Sequence, residues 1–282
     1  MFYVTAKDAD ELLEEDLSYF DMTTFLLGIE EIKGKIEFYS REECIVSGAE
    51  EVKKIFQNLG IKIVKECKSG DKIEKGALFF AGEGESDTLH KAWKVSLNIF
   101  EYASGIATRT WKMKEKARSS NNKRVSIGTT RKVFPGTKKL ALKSVVAGGG
   151  MPHRQSLSDS ILIFKQHLEF FKDFKDAEKA INSVKEKTPE KKVLIEADNC
   201  IEAVRYSEMN IDGIQIDKAD AAELKECIEK IKKKKPNIII LAAGGINESN
   251  AKEYAESGAD VLVTTSVYFG KPVDMGVRIT KA

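Results

Sequence analysis

Two pairs of cationic side chains, Arg131–Lys132 and His153–Arg154, flank a run of three glycines at 148–150 in the stretch GTTRKVFPGTKKLALKSVVAGGGMPHR. An arginine fork fits a carboxylate or phosphate with two parallel hydrogen bonds, and a lysine adds a compact point charge. Held by tight turns, these groups suit a multiply anionic small molecule. The glycine run is expected to let the His153–Arg154 segment fold back over the site.

Two carboxylates, Glu196 and Asp217, close the apolar stretches KVLIEA and GIQID. Brought together, they would hold Mg²⁺ through oxygens and water, or else make salt bridges with Arg131, Lys132 or Arg154. Gly244–Gly245–Ile246–Asn247 follows a third apolar stretch and precedes a helical one. Either it is an ordinary turn, or its backbone N–H groups and a helix N-terminus receive a phosphate, with Thr264 and Thr265 completing the clamp. Lys165 and His167 follow a further apolar stretch; His90 lies on the polar side of its helix, and Asp159 and Asp198 read as local caps. No nucleophile stands beside a base in a recognised arrangement, which argues against covalent hydrolysis. The lack of an evident Schiff-base lysine on a strand argues against an aldolase.

The elements that must position these groups follow from periodicity. Strands are expected at 125–130, 160–164, 192–197, 213–217, 237–243 and 261–265, alternating with helices at 138–147, 176–188, 201–209, 221–234 and 248–257. Short apolar strands alternating with helices indicate a parallel sheet, and six units make an incomplete α/β barrel. In such folds chemistry collects at the carboxyl ends of strands, where all these polar residues fall. Before residue 106 the pattern differs: a short acidic helix from Asp8, alternating strands at 34–48, 61–67 and 77–84, and helices at 49–59 and 88–103, while a further helix at 107–119 opens the second region. That order indicates a separate α+β domain.

The chain has 282 residues, 42% of them hydrophobic, and a net charge of +2. It is long enough for two domains with proper cores, and no global field favours nucleic acid or a membrane. The basic run 232–235 reads as a solvated helix end. Four scattered cysteines without a CxxC pair suggest neither a disulfide framework nor zinc, and fit a reducing, cytoplasmic setting. The acidic start is unlike a signal peptide, and no apolar run approaches the ~20 residues of a membrane span.

Taken together, ASGIAT at 103–108, TTRKVFPG at 129–136, VVAGGGMPHR at 145–154, the two strand-end carboxylates and AAGGIN at 242–247 resemble the quinolinate phosphoribosyltransferase (nicotinate-nucleotide pyrophosphorylase) family nearly end to end. Within it the chain is most similar to the ModD branch, named for its association with molybdenum transport genes. The resemblance implies an N-terminal α/β sandwich domain (1–106, joined by a final strand at 273–282) and an α/β barrel (107–272). It implies at least a homodimer, in which one subunit's N-terminal domain closes the other's site. It implies phosphoribosyl pyrophosphate and Mg²⁺ meeting a pyridine dicarboxylate in NAD biosynthesis, with loss of pyrophosphate and CO₂. By position, Arg131 and Arg154 would bind acceptor carboxylate beside His153, and Lys132 would face acceptor and pyrophosphate. Glu196 and Asp217 would hold ribose hydroxyls and metal, and Gly244 and Gly245 the 5′-phosphate.

Two of the four departures from the family pattern fall on the acceptor side. Tyr102 stands where the family has an arginine, and Phe164 where it has a lysine, with Lys165 one residue off. Lys218 replaces an asparagine after Asp217, and Ala243 a serine before the glycines. Two lost cations point to a retained phosphoribosyl half and a less anionic, or larger and more aromatic, acceptor. The competing expectation is a non-catalytic anion- or nucleotide-binding regulator serving molybdenum uptake.

Overall fold

A computed structural model describes residues 3–282. It divides into two compact units: the chain through Trp111 with Pro135–Gly149 and Phe269–Ala282, and Lys112–Phe134 with Gly150–Tyr268. In chain order the elements are α1 (Ala6–Glu14), α2 (Met22–Leu27), β1 (Lys33–Ser40), β2 (Cys44–Ile45), α3 (Ala49–Asn58), β3 (Lys62–Lys65), β4 (Lys72–Ile73), β5 (Leu78–Glu85), α4 (Ser86–Arg118), β6 (Ser126–Thr129), α5 (Lys138–Ala147), β7 (Met151–Pro152), β8 (Ile161–Ile163), α6 (Lys165–Leu168), α7 (Phe174–Lys187), β9 (Val193–Ala197), α8 (Cys200–Tyr206), β10 (Gly213–Asp217), α9 (Ala221–Lys234), β11 (Ile239–Ala243), α10 (Ala251–Glu256), β12 (Val261–Thr264) and β13 (Met275–Lys281). No helix among the described residues is long and apolar enough to cross a membrane.

The first unit is built on a four-stranded antiparallel sheet in the order β13-β1-β5-β3. Period-two alternation along β1 buries Gly34, Ile36, Phe38 and Ser40 on one face. There Phe38, Phe56, Phe80 and Phe100 meet in edge-on and tilted pairs, with centroids 5.2–6.3 Å apart. The final strand pairs with β1 from Gly34↔Lys281 to Ser40↔Met275.

Helix α4 corrects one expectation. The two helices anticipated at 88–103 and 107–119 are one helix of 33 residues. Gly105, taken as a break, lies inside it. A Cβ at that position would stand 3.2 Å from the Lys271 carbonyl oxygen and 3.3 Å from Pro272 Cα, so the glycine admits a close backbone rather than ending the helix. Arg109, one turn on, donates to the same carbonyl at 2.6 Å.

Helix α5, expected among the barrel helices, packs in the first unit. Lys143 on it is 4% exposed and is held by Glu51 and by Glu50, the latter at 2.5 Å. Ser144 Oγ lies 3.1 Å from Ser47 Oγ. A buried ammonium is tolerable only when paired this way.

The second unit is a seven-stranded sheet in the order β7-β6-β12-β11-β10-β9-β8, parallel throughout. All six expected strands are present; β7 is an additional short one within the segment after the glycine run. The two ends of the sheet, β7 and β8, do not pair, so the barrel is incomplete. Its inner face is lined by alternate residues: Leu162, Leu194, Leu241, Ala243 and Val263 form one buried cluster. Asp173, Asn199 and Asp220 cap α7, α8 and α9, each accepting the third backbone N–H of its helix at 2.8–3.0 Å. The cap of α8 is therefore Asn199, not Asp198. The basic run ends α9 as expected: Lys232 pairs with Asp260 and Lys234 with Glu208.

Candidate active site

At the carboxyl ends of the parallel strands lies a cavity of about 780 Å³, formed entirely by the second unit. Thr130, Arg131 and Lys132 reach it from the end of β6, and His153 and Arg154 from the end of β7. Glu196 comes from β9, Asp217 from β10, Gly244 and Gly245 from the turn after β11, and Thr264 and Thr265 from β12 and its end. Each stretch contributes because a parallel strand ends where its last inward side chain meets solvent.

The carboxylate side is crowded with like charge. Burial, and then the neighbouring Asp217 carboxylate, push the Glu196 carboxyl above its ordinary range, while Gln215 and Lys132 act in the opposite direction. Gln215 Nε2 donates to Glu196 Oε2. Among the described residues no group of three or more His, Cys, Asp or Glu side chains could hold a metal. Two carboxylates alone match Mg²⁺ bound mostly through water and substrate phosphate, not a closed protein cage.

The cationic side is buried at Arg154 and open at Arg131 and Lys132. Arg154 is 7% exposed, and its Nε has no hydrogen-bond partner; the neighbouring His153 imidazole bonds to the Gln215 side chain. Burial, and then the like charge of Arg131, weaken the proton affinity of Arg154, with Asp159 opposing. Burial, followed by Arg154, pushes the His153 imidazole below its ordinary value, with Gln215 and Asp159 pulling the other way. A buried guanidinium nitrogen without a partner is poised for an anion.

The glycine turn has a steric cause. Gly244 and Gly245 take φ of +87° and +72°, and a Cβ on Gly244 would stand 2.5 Å from Lys218 N and 2.9 Å from Asp217 Oδ1. Lys218 itself adopts φ +61°, donates its N–H to the Ala243 carbonyl at 2.9 Å, and sets its ammonium 3.5 Å from Asp217. The following helix begins at Ala251 rather than near Glu248, after a turn closed by Asn250 Oδ1 accepting from Asn247 N at 2.8 Å. An anion at this turn would therefore meet the backbone of the glycines rather than a helix end. Thr264 Oγ1 donates to the Ile246 carbonyl at 2.6 Å and also meets Ser266 Oγ at 2.8 Å. It braces the glycine turn from beneath. Thr265 Oγ1 meets Thr130 Oγ1 at 2.8 Å.

Two sequence candidates do not line the cavity. Lys165 opens α6 and points to Asp198 at 3.5 Å. Tyr102 lies on α4 in the first unit and is 62% exposed. Phe164 does line the cavity; its N–H donates to His167 Nδ1 at 2.9 Å, so that histidine serves the start of α6. His90 bonds within its own helix, with Nδ1 2.7 Å from the Ser86 carbonyl. Sequence reasoning passed over Gln215. Its signal was a polar residue two positions before Asp217, on the same face of an otherwise apolar strand.

Known proteins resemble this chain over its whole length. The quinolinate phosphoribosyl transferase C-terminal domain matches residues 106–278 and the corresponding N-terminal domain residues 21–104. The chain is 34% identical to the "putative pyrophosphorylase ModD" of Pasteurella multocida, covering 100% of this chain and 99% of that one. It is also 34% identical to a "probable nicotinate-nucleotide pyrophosphorylase (carboxylating)" of Methanocaldococcus jannaschii, over 95% of each. The crystal structure of a nicotinate-nucleotide pyrophosphorylase from Ehrlichia chaffeensis superimposes with a TM-score of 0.89 at 25% identity, covering 99% of this chain and 100% of that one.

Proposed function

Since the chain belongs to the quinolinate phosphoribosyltransferase family, we propose that its second unit transfers a phosphoribosyl group from phosphoribosyl pyrophosphate, with Mg²⁺, to the ring nitrogen of an aromatic acid. The observation that supports this reading most is that Lys132, Glu196, Asp217 and the Gly244–Gly245 backbone line one cavity. In this reading the glycine amides receive the 5′-phosphate, and Glu196 and Asp217 take the ribose hydroxyls and the metal. Bound there, Mg²⁺ would supply charge neutralisation for the departing pyrophosphate. Lys132 adds its own positive charge on the same side. Arg131 and Arg154 fix the acceptor carboxylate with His153 beside them, so that the ring nitrogen faces the anomeric carbon. No protein nucleophile is needed. Departure of pyrophosphate leaves an oxocarbenium-like centre, and the protein's work is alignment and charge stabilisation.

Phe164 in the cavity wall, where the family pattern has a lysine, supports an acceptor other than quinolinate. Incubation with quinolinate, the donor and Mg²⁺ tests this: we expect little nicotinate mononucleotide, and robust formation would overturn the altered-acceptor reading. A homodimer or larger assembly is part of the proposal. Tyr19, Phe20, Phe25, Leu26 and Leu27 are 54–92% exposed around α2, an apolar face that self-association would cover. Light scattering during size exclusion should give at least twice the monomer mass of 31.4 kDa; a monomer at micromolar concentration would contradict it.

A second reading, a non-catalytic binder of anions or nucleotides serving molybdenum uptake, finds support in one feature. Lys218 places an ammonium beside Asp217, where a metal would otherwise bind. Calorimetry with phosphoribosyl pyrophosphate separates the two. The transferase reading expects binding that strengthens with Mg²⁺, and the binder reading expects none of that dependence.

A further inference from the structure

Charge is unevenly spread around the cavity wall. Arg131, Lys132, His153 and Arg154 all enter from the ends of β6 and β7. From β9 to β12 the wall carries two carboxylates, Glu196 and Asp217, and among the described residues one cation, Lys218. The Gly244–Gly245 turn follows β11, which pairs with β10 and β12, so Lys218 at the end of β10 is its neighbour while β6 lies two strands away. Glycine amides offer a phosphate partial charges only. Lys218 can add a full one. Its place is conformationally costly: it is the one non-glycine among the described residues with a positive φ, +61°, which asparagine adopts more readily than lysine. Strain at a cavity wall points to a use for the side chain that carries it. The stem lies across the turn, since a Cβ on Gly244 would stand 2.8 Å from Lys218 Cγ. The ammonium is 3.5 Å from Asp217 Oδ2, and the side chain is 82% exposed. An ammonium has three donors, so pairing with Asp217 leaves others for a ligand.

Resting on the phosphoribosyltransferase reading, we infer that Lys218 is a donor-binding residue whose ammonium bridges Asp217 and the sugar's 5′-phosphate at the glycine turn. It supplies there, without a metal, the positive charge that the carboxylate side otherwise lacks. The asparagine of the family pattern at this position carries no charge, so this chain gains a metal-independent hold on the phosphorylated sugar. The same ammonium competes with Mg²⁺ for Asp217, so the hold comes at the expense of metal affinity. Gly244 is part of the device, because a side chain there would meet the lysine stem.

The test is calorimetry on the full chain with a chelator present and no metal. The probes are ribose 5-phosphate and inorganic pyrophosphate, titrated into the parent, Lys218→Asn and Lys218→Arg, each verified as folded by its thermal melt. The expected result is that ribose 5-phosphate binds the parent and binds Lys218→Asn about fivefold more weakly, as for one exposed charge-assisted contact. Lys218→Arg restores most of the loss, and pyrophosphate affinity changes less than about twofold across the three proteins. Equal ribose 5-phosphate affinity in the parent and Lys218→Asn, an equal loss for both probes, or no binding of ribose 5-phosphate by the parent would each overturn the inference. Titration of the parent with phosphoribosyl pyrophosphate and Mg²⁺ keeps the two claims apart. Binding of that donor, with ribose 5-phosphate indifferent to Lys218, removes only the role of Lys218. Ribose 5-phosphate binding that depends on Lys218, with no binding of the full donor, removes the transferase reading alone.

Discussion

Among the described residues each unit buries one cationic side chain, and the two are treated in opposite ways. In the first unit Lys143, 4% exposed, is gripped by Glu50 and Glu51. In the second, Arg154, 7% exposed, keeps Nε without a partner. The neutral Trp93 Nε1 and Ser96 Oγ of the first unit lack partners too, but its buried charge does not. A folded chain completes a buried charge internally when that charge serves the fold. It leaves one incomplete where something else is to complete it.

The comparison is broken most severely at Lys143. Lys143→Met strands two carboxylates at a buried position and should destabilise the protein by about 3–5 kcal/mol, seen as a lower urea midpoint. A shift under ~1 kcal/mol would mean that the pair is not structural. Arg154→Met is the mirror experiment. Stability should stay level or rise, while kcat/KM with the true acceptor, or the affinity for an aromatic acid, falls by about ten- to a hundredfold, as expected for one lost charge-assisted bond. An unfolded Arg154→Met protein would equate the two sites.

Glu196 sharpens the same contrast through pH. Its carboxyl is raised above the ordinary 4.5, so the proton is held more tightly in the folded state than in the unfolded one. The associated stability is fully present below the ordinary value and is lost as pH rises through the folded one. Glu196→Gln should therefore melt higher than the parent at neutral pH, with the advantage closing in acid; a uniform difference across pH would contradict the shift. The smallest effect belongs to Lys218→Asn. Removing an exposed ammonium 3.5 Å from Asp217 should improve the apparent Mg²⁺ affinity by about two- to fivefold in donor titrations. Unchanged Mg²⁺ dependence would show Asp217 to be remote from the ion.

Much of this was legible in the sequence because strand periodicity and strand-end chemistry are local. The six parallel strands, and the delivery of Arg131, Lys132, His153, Arg154, Glu196, Asp217 and the Gly244 turn to one cavity, follow from alternation and turn residues alone. What escaped depends on tertiary partners. Gly105 reads as a helix stop until the Lys271–Pro272 backbone is seen against it. Helix α5 reads as one more barrel helix because its place between two strands does not name the surface it covers; the burial of Lys143 against Glu50 and Glu51 is seen only in the structure. Gln215 was overlooked as one polar residue in a strand, since its meaning lies in Glu196 and His153, far off in sequence. Thr264 looked free for a ligand, but its hydroxyl holds the glycine turn.

The most direct measurement of the central claim is calorimetric titration of the purified full-length chain with phosphoribosyl pyrophosphate and Mg²⁺, repeated on Lys132→Ala and Glu196→Gln. The account predicts saturable binding to the parent, at least tenfold weaker in each variant while both remain folded. No binding by the parent, or equal binding by all three, would contradict it.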